Sequence, residues 1–265
     1  SNPKKVMVIG GGVAGLCAAF IAKEKGHEVT LYEAGDVLGG NMRLAAYPPG
    51  KGDITNMIRS YIHRCQKDGV KIVMSCEVTP ELIKEEKPDS VIIATGSKTL
   101  ILPIEGIDNP AIIHGSDLLD GKRAAGKKVL VVGGGMVGCE TAAFLGEQEH
   151  DVTVIEFRDT VGADVIHEHR VYLMKDFEDY GIKEITGAKV CKFYEDGVEY
   201  ETADGVRHET RGYDSVILSM GFRNYNPLEE KIKDLVPETH VIGDAIRARR
   251  ALDATKEAYD VASQI

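Results

Sequence analysis

Positive charge is scarce in this 265-residue chain: 32 lysines and arginines stand against 42 aspartates and glutamates, leaving a net charge of −10 and a pI near 5.3. A surface that acidic repels phosphate backbones and anionic lipid, which argues against nucleic acid and membrane surfaces as partners. A phosphate-bearing ligand must instead be held by local backbone geometry. Cysteine is sparse too. Cys17, Cys65, Cys76, Cys139 and Cys191 form an odd set without a C-x-x-C pair, against both a secreted disulfide framework and a zinc ribbon. They read as small buried hydrophobes in a reducing cytoplasm, with a spatially close redox pair as the alternative. Also missing is any uninterrupted apolar run of the roughly 18 residues that a transmembrane helix needs. Lys4-Lys5 followed by the apolar stretch 6–22 imitates a signal peptide, but Gly10, Gly11, Gly12 and Gly15 interrupt it. Ser1-Asn2 reads as an expression-tag remnant, with Pro3 near the start of a domain cut from a longer chain.

What is present is an ordinary globular composition, 43% hydrophobic and 28% charged, at a length expected for two domains. It also contains an internal repeat. Residues 6–33 and 129–156 align without gaps at an offset of 123, with 12 of 28 positions identical. Each copy has a short apolar strand, then G-G-G-x-x-G, an alanine-rich helix, His-acid-Val-Thr, a second strand and an acid. The key glycines are Gly10, Gly12 and Gly15 in one copy and Gly133, Gly135 and Gly138 in the other; the acids are Glu33 and Glu156.

The first glycine permits the strand-to-helix turn, the second admits a pyrophosphate and the third lets helix and strand pack closely. The helix N-terminus then presents free N–H groups and a partial positive charge to the phosphates. The acid, 23 residues after the first glycine, is placed to accept hydrogen bonds from a ribose hydroxyl. One such motif is weak; two with matching strand, helix and acid predict two dinucleotide sites.

The rest of the chain divides accordingly. A helix is expected over 53–68 with Ile54, Met57, Ile58, Tyr61, Ile62 and Cys65 inward, then a strand near 70–75, a helix near 80–87 and an apolar strand at 90–94. After the second repeat come a helix near 168–180, a β-meander punctuated by Asp196-Gly197 and Asp204-Gly205, and strands at 215–219 and 240–242. A final helix over 251–263 is expected to turn Ala251, Thr255, Ala258, Tyr259 and Ala262 inward. The fold class is α/β: two Rossmann-like dinucleotide-binding domains, the second inserted into the first, with a small β-meander. The expected boundaries are 1–105 with 224–265 for the first domain and 106–223 for the second.

These motifs together resemble the two-dinucleotide-binding-domain flavoproteins, in which the first fingerprint binds FAD and the second NAD(P)H. The resemblance implies that Gly10, Gly12, Val13, Ala14 and Gly15 face the FAD pyrophosphate. Glu33 and Ala34 would meet the adenosine ribose, and Gly40, Asn41 and Arg43 the flavin. Val78 would contact the adenine through its backbone, Ala94, Thr95 and Gly96 the dinucleotide, and Gly243-Asp244 the ribityl and phosphate oxygens. The helix start at Ala251 would face the flavin O2 side. It likewise implies that Gly133, Gly135, Met136, Val137, Gly138, Glu140, Glu156, Arg158 and Gly221 serve NADH, with NADPH disfavoured by Glu156.

A narrower resemblance, to the C-terminal half of 2-enoate and 2,4-dienoyl-CoA reductases and related NADH:flavin oxidoreductases, rests on three stretches. They are Leu38-Gly39-Gly40-Asn41 with the Pro-Gly-Lys at 49–51, residues 91–96 with Pro103-Ile104-Glu105-Gly106-Ile107, and residues 131–142 with their Gly-Cys-Glu-Thr-Ala. In that family an N-terminal barrel with FMN and an iron–sulfur cluster receives the electrons and reduces an activated C=C bond. The resemblance, with no such barrel in these 265 residues, leads to the expectation that this chain is the electron-input half of a larger enzyme. No C-x-x-C precedes the second fingerprint, as thioredoxin reductases require. A free-standing ferredoxin or quinone reductase and a structural ADP-binding domain remain as alternatives. No residue is expected to be catalytic and no resident metal is expected, although His167 and His169 flank Glu168. Arg247, Arg249 and Arg250 read first as a solvated face, with docking or phosphate contact as alternatives. Glu140 is open between nicotinamide orientation and a carboxylate at a helix start.

Overall fold

The computed structural model describes residues 2–48 and 51–265. Pro49 and Gly50, part of one stretch of the narrower resemblance, lie outside the described residues. The chain forms two units. The first runs from the N-terminus to Ala46, then Lys51–Lys98 and Phe222–Ile265; the second is built on Thr99–Gly221.

The first unit opens with β1 (Lys5–Ile9), α1 (Val13–Glu24), β2 (Glu28–Tyr32), α2 (Asn41–Leu44) and α3 (Gly52–Lys67). It continues with β3 (Lys71–Val73), α4 (Pro80–Glu86), β4 (Ser90–Ile93) and β5 (Ser97–Thr99). The second unit then contains β6 (Ile113–His114), α5 (Gly115–Leu119), β7 (Lys128–Val132), α6 (Met136–Glu147), β8 (Asp151–Ile155), α7 (His167–Asp179) and β9 (Lys183–Ile185). It adds β10 (Lys189–Tyr194), β11 (Gly197–Glu201), β12 (Arg207–Thr210) and β13 (Ser215–Leu218). The chain returns to the first unit with β14 (Phe222–Asn224), α8 (Glu229–Ile232), β15 (Glu238–Val241) and α9 (Ala251–Ala262).

Each unit contains one five-stranded parallel sheet. Their orders, β3-β2-β1-β4-β15 and β9-β8-β7-β13-β6, superimpose position for position. The outermost strand differs in origin: β15 comes from the end of the chain, whereas β6 precedes the repeat it completes. The central strands read as continuous apolar runs because both faces are covered. Val6 and Val8 pack under α1 and α9, while Met7 and Ile9 face Ile83, Leu228 and Ile232. In the second unit Val129 and Val131 pack against α6 and α7, whereas Leu130 and Val132 meet Phe193, Val198 and Tyr213. The antiparallel meander β10-β11-β12 therefore supplies the second face that helices supply elsewhere. Full burial of a Leu or Ile side chain stabilises by about 1.5–3 kcal/mol.

Helix α1 is buried along its whole first three turns, from Val13 to Ala22. That accounts for the signal-peptide-like run, since a helix apolar all round belongs inside a core. Ala18, Ala19 and Ala22 keep it thin enough for α9 to lie against it. The inward face of α9 is Ala254, Ala258 and Ala262, with Tyr259 60% exposed. The expectation for Tyr259 is thus corrected: alanines, not an aromatic, fit a helix pair this close, and the stripe is rotated by one residue. No helix of the described residues is long and apolar enough to cross a membrane.

This packing generates a prediction. Ala258, fully buried against α1, has no room for a larger side chain, so Ala258→Leu is expected to lower stability by about 1–3 kcal/mol. Tyr259→Ala on the exposed side should cost less than about 0.5 kcal/mol. Urea denaturation followed by circular dichroism checks both, and equal losses would contradict the packing.

Candidate functional site: two glycine turns

The two turns can be read glycine by glycine. Gly10 has φ +110°, and a Cβ there would lie 2.2 Å from the Ala94 carbonyl oxygen. A Cβ on Gly15 would lie 1.9 Å from the Gly10 oxygen. Gly11, outside the fingerprint as the sequence is usually parsed, is crowded by side chains instead of backbone: its Cβ would meet Leu38 Cδ2 at 2.4 Å and Glu33 Oε2 at 3.0 Å. Gly12 is different. Its backbone is extended (φ −73°, ψ −179°), and among the described residues a Cβ there would approach only the Gly40 Cα, at 4.0 Å. Neither dihedral nor packing explains the missing side chain at Gly12. It caps the N-terminus of α1, where the first N–H groups lack intrahelical acceptors, so the space fits an oxygen-bearing anion drawn up to the backbone.

The second turn repeats this. Gly133 has φ +107° with a virtual Cβ 2.3 Å from the Ser219 oxygen, and Gly138 would meet the Gly133 oxygen at 1.8 Å. A Cβ on Gly134 would lie 2.8 Å from Glu156 Cβ. Gly135, again extended, faces the Asp164 carboxylate, whose oxygens would lie 3.2 and 3.5 Å from its Cβ. Asp164 Oδ1 accepts the N–H of Met136, the first residue of α6, at 2.9 Å. A carboxylate oxygen therefore stands at the second helix start much as a phosphate oxygen would.

Both acids reach back to their turns. Glu33 accepts the Gly11 N–H and the Gly35 N–H, each at 2.7 Å, straddling Ala34. Glu156, 8% exposed, accepts the Gly134 N–H at 2.6 Å and the Arg158 N–H at 3.0 Å. Each carboxylate oxygen has a second lone pair, so these bonds leave capacity for ribose hydroxyls. The Arg158 side chain lies 4.0 Å from Asp164 rather than on Glu156; only its backbone serves Glu156, because the chain turns tightly after β8. A cavity of about 490 Å³ beside that turn is lined by Phe157, Arg158, Asp159, Lys189 and Thr202.

Other predicted residues of the first unit gather near the Gly10 turn. Ala94 abuts Gly10 and Gly15, and a Cβ on Gly40 would lie 3.1 Å from the Gly12 Cα. Asn41 donates to the Ser97 carbonyl and hydroxyl at 3.1 and 3.2 Å. The Ser97 hydroxyl in turn donates to Asp244 Oδ2 at 3.1 Å. The Gly243 N–H donates to Glu257 at 2.8 Å, and Glu257 also holds Arg249. Thr95 donates to the Tyr225 carbonyl, while the Tyr225 N–H donates to the Gly96 oxygen. Arg43 follows in α2 and Ala251 begins α9. Val78 is not brought to the turn by its side chain, which is buried with Met7, Ile9 and Tyr32. In the second unit Val137 and Gly138 follow Met136, and Gly221 receives the Leu100 N–H. Glu140 is 5% exposed, with Oε1 3.6 Å from His169 Nε2. Of the arginine cluster, Arg249 pairs with Glu257 and Arg250 with Asp253.

Comparison with known proteins places this geometry. A family model described as pyridine nucleotide-disulphide oxidoreductase matches residues 4–243. The chain belongs to this family. It is 35% identical over 268 residues to the NADH oxidase of Thermoanaerobacter brockii, covering 99% of this chain and 41% of that protein. It is 32% identical over 265 residues to the cinnamate reductase of Clostridium sporogenes, covering 99% and 39%. A solved 2-naphthoyl-CoA reductase, complexed with 2-naphthoyl-CoA, matches with a TM-score of 0.94 at 32% identity over 100% of this chain and 40% of that one. The chain spans about 40% of the length of the relatives it matches. The enoate-reductase-like resemblance thus holds, and family and relatives support FAD and NAD(P)H as the nucleotides.

One cysteine touches a turn: the Cys139 thiol donates to the Gly134 carbonyl at 3.3 Å. Burial pushes the Cys17 thiol up to about 11 and the Cys65 and Cys139 thiols up to about 12. At pH 8 these three remain protonated and inaccessible, so native protein treated with iodoacetamide should be alkylated at the less buried Cys76 and Cys191 first. Peptide mass spectrometry reads this directly, and early modification of Cys139 would contradict it.

Proposed function

We propose that this chain is the electron-input module of a larger flavoenzyme, taking hydride from NADH onto FAD and passing electrons to a part of the parent protein outside this chain. The observation that carries the reading is the pair of glycine turns, each with its acid clamp, in a family member spanning about 40% of its relatives. The first unit is the FAD domain and the second the nucleotide domain. By the resemblance, the partner is an N-terminal barrel carrying FMN and an iron–sulfur cluster, and the final acceptor an activated C=C bond. The names cinnamate reductase and 2-naphthoyl-CoA reductase among the relatives favour that acceptor class. Five free thiols suit a reducing cytoplasm.

FAD supplies, when bound, a two-electron acceptor for the nicotinamide hydride and an outlet to one-electron carriers. The residues of this chain bind and orient. N–H groups at the start of α1, unhindered at Gly12, take the FAD pyrophosphate, and Glu33 takes the adenosine ribose. Asp244, held by Ser97 and the Arg249 N–H, presents acceptors to the ribityl hydroxyls. The N-terminus of α9 at Ala251 stabilises negative charge that builds at the flavin O2 side. In the second unit the start of α6 takes the NADH pyrophosphate, Glu156 the ribose, the cavity beside Phe157 the adenine, and Glu140 orients the nicotinamide.

Glu156 selects NADH over NADPH. A 2′-phosphate on its carboxylate would place like charges within a few ångströms, at a cost on the order of a few kcal/mol in a partly buried cleft. The expected outcome is that the chain takes up FAD and turns yellow, and that NADH bleaches this flavin anaerobically at least about tenfold faster than NADPH. Glu156→Gln, which keeps the shape and one acceptor, should narrow that ratio. A colourless chain that refuses FAD would sink the assignment; equal rates in the wild type would sink the preference alone. The chain by itself should oxidise NADH only with an added acceptor, and turnover of an enoate or enoyl-CoA would refute the modular reading.

A further inference from the structure

The loops that follow the two acids differ in charge at two positions, Gly35 against Arg158 and Asn41 against Asp164. The repeat continues past its acids at the same offset of 123: Asp36 matches Asp159, and Gly39 matches Gly162. The loops are pinned alike, with the Gly39 N–H donating to the Gly11 oxygen at 2.8 Å and the Gly162 N–H to the Gly134 oxygen at 2.7 Å. Two residues further on, the first copy has the neutral Asn41 and the second the acid Asp164. The Asn41 amide is engaged by Ser97, and the place before Gly12 stays open, with Gly40 Cα at 4.0 Å from a virtual Cβ. The Asp164 carboxylate instead sits before Gly135 and takes the Met136 N–H at 2.9 Å. Arg158 Nη1 lies 4.0 Å from it, and the Asp164 side chain is 49% exposed.

We propose that Asp164 is an internal competitor for the pyrophosphate of the nicotinamide nucleotide, and thereby the residue that makes the second site exchangeable while the first holds its dinucleotide. This rests on the function proposed above. The two ligands carry the same pyrophosphate to the same strand–turn–helix, yet one stays through turnover and the other must leave after each hydride transfer. A phosphate entering the second turn has to displace a carboxylate from an N–H it already satisfies and then tolerate its charge nearby. The displaced side chain is half in solvent already, so it can leave without stranding a buried charge. Arg158, freed of its partner, then faces the incoming phosphate. When product leaves, Asp164 returns to the Met136 N–H and closes the vacancy.

The test is NAD+ titration of the full, FAD-loaded chain by calorimetry, comparing wild type with Asp164→Asn and Asp164→Ala, and NAD+ release by stopped flow. Both variants are expected to bind NAD+ about tenfold more tightly and release it more slowly, with FAD affinity unchanged. Asp164→Asn keeps the side-chain shape and an acceptor, so the result stays readable if Asp164→Ala fails to fold. NAD+ affinity equal to or weaker than wild type in the folded variants would overturn the inference. If wild type binds FAD and NAD+ normally in that outcome, the proposed function stands; if wild type binds neither, both fall.

Discussion

Everything at the two turns depends on how closely the helix approaches the strand that feeds it. The third glycine of each turn brings its Cα so near the carbonyl of the first that a Cβ would sit 1.9 Å from that oxygen in one copy and 1.8 Å in the other. No side chain can be accommodated there, and no adjustment of rotamer relieves a clash with backbone. Because the helix is seated this deeply, its residues are enclosed on all sides and must be apolar, as Val13 to Ala22 are. Its N-terminus is left pointing over the carboxyl edge of the sheet, with backbone donors that the helix cannot satisfy. The ligand-binding property is thus a by-product of a packing constraint.

That constraint also explains why the chain must return to its first unit. The apolar strand β4 needs a neighbour on its outer side, and β15, paired from Glu238 to Val241, provides it. The register carries Ile242 onto the Ile93 carbonyl and delivers Gly243 to α1, where its virtual Cβ lies 3.1 Å from Ala14 Cβ. Asp244 is thereby set beside Ser97 at the mouth of the first turn. In the second unit the equivalent outer strand, β6, is drawn from before the repeat and runs into Gly115, Ser116 and Asp117 at the start of α5. Two copies of one topology are completed from opposite ends.

Much of this was legible in the sequence because it is written in local periodicity and in glycine spacing. The strands, the helix over 53–68 and the meander turns follow from alternation, apolar runs and Asp-Gly pairs. Other features depend on partners far away in sequence and had no local signal. Tyr259 fits an apolar stripe on α9, yet contact with the alanines of α1 selects Ala254 instead. Gly11 and Gly134 were hidden inside runs of three glycines; the repetition of the full triplet in both copies was the available clue. The spacing of Glu33 and Glu156 was legible and led to the expectation of ribose acceptors, but their bonds to Gly11 and Gly134 appear only once the loop is folded. Asp164 was reachable by extending the repeat eight residues beyond its acid; the interest of that position, however, lies in where its carboxylate rests.

An acidic protein that holds two anionic cofactors looks contradictory until the charges are placed. Net charge acts at long range and is screened over about 8–10 Å in physiological salt; binding is decided by what points at the phosphate within hydrogen-bond reach. At both turns the nearest groups are backbone N–H donors, and the carboxylates of Glu33 and Glu156 are turned onto loop amides one residue to the side. A carboxylate so engaged holds in place the very loop whose neighbouring amides stand at the helix start. The same chemistry has opposite consequences a few ångströms away. Moved from the loop amide to the helix start, a carboxylate no longer supports the anion site but fills it, which is the difference between Glu156 and Asp164 in one turn of one unit.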